Sequence, residues 1–123
     1  MHHKSLPRVR SRAFKRQHGR CFYCSLPMWI DDAPSFSQRY GILLRQAAQF
    51  RSTAEHLKAW CDGGSNERKN IVAACFDCNT RRHRRKTPPS PERWRMIQLA
   101  RRAKWEGEGF GSAIRPGMKC LPS

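Results

Sequence analysis

Acidic residues are what this chain lacks. Its 123 residues carry nine Asp and Glu against 25 Lys and Arg, a formal net charge of +16. The shortage is uneven. Residues 1–20 hold Lys4, Arg8, Arg10, Arg12, Lys15, Arg16 and Arg20 with no acid, and residues 79–104 hold ten cations against Glu92 alone. A field of this sign suits a phosphate polymer. A solvated basic tail or an anionic-membrane binder would share the charge, but here the cations flank a metal-ligand set, which favours nucleic acid.

Long apolar runs are also missing. No stretch approaches the roughly 18 apolar residues of a membrane span, and the N-terminus has no apolar signal region. The expectation is a cytoplasmic protein with no membrane partner, acting on a nucleic acid. Hydrophobic residues make up 38%, and the mean hydropathy is -0.81. Such a lean chain builds one small domain and needs a covalent or metal staple. His2, His3 and His18 read as surface residues.

The staple is legible. Four of the six cysteines form two C-x-x-C pairs, "CFYC" at 21–24 and "CFDC" at 75–78. Cys21, Cys24, Cys75 and Cys78 together make a tetrahedral structural zinc set. Two disulfides or a redox pair are the competing readings; a reducing compartment and the lack of a βαβ pattern weigh against them. With four thiolates the ion has no open position, so any catalysis needs another site. Cys61 and Cys120 read as ordinary free cysteines.

Along the chain, residues 10–18 predict a short basic helix stopped by Gly19. Residues 34–50 predict a helical insert with a core-facing stripe of Phe36, Tyr40, Leu43, Leu44, Ala47 and Phe50, divided at Gly41. Ser52–Trp60 reads as a strand, 61–70 as a loop with Asp62-Gly63-Gly64 turn chemistry, and 71–75 as a second, β-branched strand. A polar helix follows from Phe76 to about Lys86, ended by Thr87-Pro88-Pro89. Ser90 and Pro91 then cap a last helix, 91–105. Residues 1–106 are expected to form one domain, and 107–123 a flexible tail.

Taken together, "CFYC", "AEHL", "GGSNERKNIVAACFDCN" and "RRH" resemble the HNH endonucleases, of the type whose ββα-metal (His-Me finger) core is braced by four cysteines. The resemblance covers 21–24 and about 53–86. It implies a small α+β fold with flanking basic helices, and metal-dependent hydrolysis of DNA phosphodiester bonds, with double-stranded DNA as the partner. It assigns Glu55 and His56 to the first strand, Asn70 to the position before the second, and Asn79 to the helix after the second knuckle. His56 offers an imidazole, the side chain most often used to take a proton from water. Glu55 offers a hard oxygen, and Asn79 an amide oxygen, to Mg²⁺ or Mn²⁺. Asn70 would steady the loop and the His56 ring. His83 lies one helical turn beyond Asn79, where toxin DNases of the superfamily carry a second histidine, and is a candidate further ligand. Arg81 or Arg82 would clamp the scissile phosphate, with Arg84, Arg85 and Lys86 along the backbone.

The chain departs from the commonest pattern in three ways: Glu for Asp before His56, Asn for His at position 79, and a long interval between Cys24 and Glu55. Two other functions share part of these features. A non-catalytic zinc-dependent nucleic-acid-binding module would use the cysteines and cations but has no need of the Glu55–His56–Asn70–Asn79 set. A structural RNA-associated protein would favour exposed stacking aromatics, whereas Phe22, Tyr23 and Phe76 fall within the knuckles. Oligomeric state is left open, a monomer included.

Overall fold

A computed structural model describes residues 6–103. The expected tail, the last two residues of the C-terminal helix, His2, His3 and Cys120 lie outside this range. In chain order the elements are α1 (Leu6–Arg16), α2 (Ala33–Tyr40), α3 (Leu44–Ala47), β1 (Ser52–His56), β2 (Ile71–Cys75), α4 (Phe76–His83) and α5 (Pro91–Ala103). Short 3-10 turns occupy Ala48–Phe50, Trp60–Asp62 and Arg68–Asn70. This is a small α+β architecture around one two-stranded antiparallel sheet.

The sheet pairs regularly from Ser52↔Cys75 to His56↔Ile71, without a bulge. β2 is buried at all five positions. Its outer edge would be a row of open backbone groups, but side chains close it. The Gln17 amide acts as a substitute peptide group: its Nδ-equivalent Nε2 donates to Ala73 O (2.8 Å) and its Oε1 accepts from Ala73 N (2.9 Å). Arg16 donates to Ile71 O, and Cys75 N donates to the Cys21 sulfur.

The predicted first strand stops early, at His56 rather than Trp60. The chain beyond is taken over by Asn70, whose Oδ1 accepts from Lys58 N (2.8 Å) and whose Nδ2 donates to the Lys58 and Ser65 carbonyls. Gly64 completes this loop, since a Cβ there would overlap the Lys58 carbonyl. Helix ends also move. α1 runs 6–16 rather than 10–18, and α4 ends at His83 rather than Lys86. Ser90 caps α5 as expected, its Oγ accepting from Arg93 N.

Two apolar clusters hold the fold. The larger gathers Ala13, Tyr23, Met28, Ala73, Ala74 and Trp94 around the four paired cysteines. The smaller belongs to the insert: Phe36, Ala47 and Phe50, with Tyr40, Ile42 and Trp29 packed against them. Gly41, at φ 65°, divides the insert as expected. That left-handed residue also resets the helical phase, so Leu43 and Leu44 leave the predicted stripe and stand 53% and 57% exposed. The insert departs and returns at one point. Trp29 N donates to Phe50 O, Ser52 N donates to Trp29 O, and the Trp29 indole donates to Ala47 O (2.7 Å).

Candidate active site and metal centre

The four cysteine sulfurs lie within 4.8 Å of one another, and all four residues are buried. Among the described residues this is the cluster of three or more metal-ligating groups. Tetrahedral ligation at a metal–sulfur distance of about 2.3 Å spaces sulfurs about 3.8 Å apart, and Cys24 and Cys75 stand at 4.0 Å. The knuckle backbones already treat the sulfurs as anions: Tyr23 N and Cys75 N donate to Cys21 Sγ, and Cys78 N to Cys75 Sγ. Burial opposes ionisation of Cys21, but the neighbouring thiols hold it well below its ordinary range. Donating to that first thiolate drives Cys75 and Cys78 well above theirs. Four thiolates this close therefore require a cation, and the cysteines are positioned to bind a metal ion. α5 reaches the same centre, with the buried Trp94 indole donating to Cys78 O (3.1 Å) and the buried Gln98 amide 3.9 Å from the Cys78 sulfur.

The second constellation lies where β1 faces α4. Two residues along a strand advance about 6.6–6.8 Å, and four along a helix about 6 Å. The pairs Thr53/Glu55 and Asn79/His83 therefore match. Asn79 Nδ2 donates to Thr53 Oγ1 (2.9 Å) and to Ala54 O (3.3 Å). His83 Nε2 meets Glu55 Oε1 at 2.9 Å and Oε2 at 3.2 Å. The Glu55 side chain is 2% exposed and that of His83 is 42% exposed, so the pair opens to solvent through the imidazole.

Glu55 has two further partners. Tyr23, inside the first knuckle, donates its hydroxyl to Oε2 (3.0 Å), and Arg82 NH1 donates to the same oxygen (3.3 Å). Burial, and then the Glu55 charge, push the Tyr23 hydroxyl far above its ordinary pKa, so it keeps its proton and remains a donor. Arg82 corrects an expectation. It is not a surface clamp for phosphate but a buried cation, held also by Pro89 O through Nε (3.0 Å). Of the neighbouring cations, Arg81 and Arg85 both lie over the Trp94 ring, and Arg84, Arg85 and Lys86 are exposed.

His56 occupies the other side of the strand. A regular register gives adjacent residues opposite faces, so Glu55 turns inward to α4 and His56 turns away. Its Nε2 lies 2.8 Å from Asn66 Oδ1. An amide oxygen accepts only, so in this contact Nε2 is the donor. Asn70, expected to steady both loop and ring, is bonded within the loop, and Asn66 is the residue on the ring. Asn66, Tyr23 and Gln98 went unassigned in the sequence. A loop Asn, a knuckle aromatic and a helix Gln carry no spacing signal; chain folding alone gives them partners.

The HNH endonuclease family matches residues 47–85, about a third of the chain. No curated protein and no solved structure matches it. The matched segment holds the hairpin, α4 and the second knuckle, and the structure adds the first knuckle, which completes the cysteine cluster. Residues 47–85 thus resemble the HNH endonucleases, and they sit on a small α+β frame with four cysteines positioned for a metal ion.

Proposed function

We propose that the protein is a DNA endonuclease that hydrolyses phosphodiester bonds with one catalytic Mg²⁺ or Mn²⁺, its fold held by zinc at Cys21, Cys24, Cys75 and Cys78. The observation that carries this reading is the meeting of Glu55 and His83 where β1 faces α4. Adjacent ligands of an octahedral ion at about 2.1 Å lie about 3.0 Å apart, and the carboxylate and imidazole stand at 2.9 Å. With Nδ2 committed to β1, Oδ1 is the atom Asn79 has for the same ion.

The bound ion supplies Lewis acidity to the phosphate and its leaving oxygen. The chain's own residues do the rest. His56 takes the proton of the attacking water on Nδ1, with Asn66 holding the tautomer. The water oxygen forms its bond to phosphorus as the opposite P–O bond breaks. Tyr23 and Arg82 hold Glu55 Oε2, which aims Oε1 at His83. Arg84 and Lys86 contact the backbone of double-stranded DNA in the cytoplasm.

One observation favours a second reading, a zinc-dependent nucleic-acid-binding module without catalysis. Tyr23, Arg82 and His83 already satisfy the Glu55 carboxylate. A supercoiled-plasmid assay separates the two. The protein with Mg²⁺ or Mn²⁺ should yield nicked or linear DNA, and His56→Ala should lower the rate by about 10²–10⁴. Binding without cleavage under either ion favours the module, and full activity in His56→Ala rejects the base assignment.

A further inference from the structure

The hairpin end has two faces, and cations are already accounted for on one. α4 covers the Glu55 face. Of the five cations expected there to hold phosphate, Arg82 is buried on Glu55 and Arg81 is half-buried over Trp94, which leaves Arg84, Arg85 and Lys86 exposed. That surface is smaller than the charge of the sequence implies.

A cleft lies at the start of β2, where Ile71 pairs with His56 across the hairpin. Ile71 and Val72 line a cleft of about 510 Å³, together with Arg16 of α1 and Glu67, Arg68 and Lys69 of the turn entering β2. Two segments distant in sequence thus bring three cations to one concavity. Arg16 is anchored there by its bond to Ile71 O (3.4 Å). Among the described residues Glu67 forms no ion pair, so it does not neutralise this group through one. Arg16, Arg68 and Lys69 are all exposed. A solvent-open hollow with clustered positive charge concentrates an anionic ligand, and an apolar floor suits the sugar edge of a backbone.

We propose that this cleft, at the His56–Ile71 end of the hairpin, is a second DNA-backbone subsite, holding phosphates other than those that Arg84 and Lys86 contact. The assignment rests on the nuclease reading for its partner, but it is tested by binding alone. Anisotropy of a fluorescent DNA duplex is followed against salt, with metal-loaded protein and no added Mg²⁺ or Mn²⁺. Each phosphate contact contributes about 0.9 to the slope of log K against log salt. The double variant Arg68→Ala/Lys69→Ala should flatten that slope by about two and weaken binding roughly tenfold or more near physiological salt. Glu67→Gln should tighten binding. The charge-matched control Arg39→Ala/Arg45→Ala, two exposed cations of the insert, should leave the slope within half a unit of the parent, roughly.

An unchanged slope in the Arg68/Lys69 variant overturns the subsite, and so does an equal loss in the control. If the plasmid is never cleaved but these shifts appear, the subsite stands and the catalytic reading fails. If the plasmid is cleaved and the slope does not move, the reverse holds.

Discussion

The cysteine cluster and the Glu55–His56 end are both convergences of distant segments, yet they are built in opposite ways. The first uses four like residues at short local spacing, all buried, with every position of a tetrahedral ion filled. The second uses unlike residues, each aimed by a different partner, and it opens to solvent through His83. A closed centre stabilises and leaves no position for a substrate; an open one is available for chemistry and contributes less to folding. Tyr23 joins them, since its backbone serves a cysteine sulfur and its hydroxyl serves Glu55.

Removing one cysteine tests the difference most severely. Cys75→Ser should lose both the metal and cooperative unfolding, because structural sites of this type contribute on the order of 10 kcal/mol. Metal content by mass spectrometry and a thermal melt report it, and a folded, metal-free variant would contradict the division of labour. Breaking the Glu55 cluster should cost less. Arg82→Met leaves a carboxylate buried without its cation, where both side chains are under 10% exposed (9% and 2%), and should cost about 3–5 kcal/mol in urea unfolding while the cysteine metal stays bound. A loss of that metal as well would mean the two sites are one cooperative unit.

Tyr23→Phe is the mildest probe and bears on the link itself. Losing one hydrogen bond to a charged group should cost about 1.5–3 kcal/mol near neutral pH. The difference is lost in alkali. The folded hydroxyl titrates above its ordinary value of 10.0, so its stabilisation is fully present below that pH and drains away as pH rises through it. The parent and Tyr23→Phe melting curves should therefore converge above pH 10, and a gap that stays constant would mean that the hydroxyl does not hold Glu55.

Local spacing was the most legible feature of the sequence. Two C-x-x-C pairs placed the cluster, and the resemblance marked Glu55, His56, Asn79 and His83, the last two at the i, i+4 interval that a helix aligns. Roles set by tertiary geometry were hidden. Arg82 looked like any other cation of a basic helix; only its position opposite Glu55 buries it. Asn66 and Asn70 are four residues apart in one polar loop, and nothing local says which bonds the imidazole. Leu43 and Leu44 fitted a helical stripe until the Gly41 conformation broke its phase.

The clasp at the foot of the insert has a consequence for how this domain can vary. Because residues 30–50 leave and rejoin the frame at Trp29 and Phe50, their length is decoupled from the geometry of the hairpin. A segment anchored in this way behaves as an exchangeable module. Its own small core and its exposed Leu43 and Leu44 can be lengthened, trimmed or replaced, and the spacing between Cys24 and Cys75 across the metal centre stays the same.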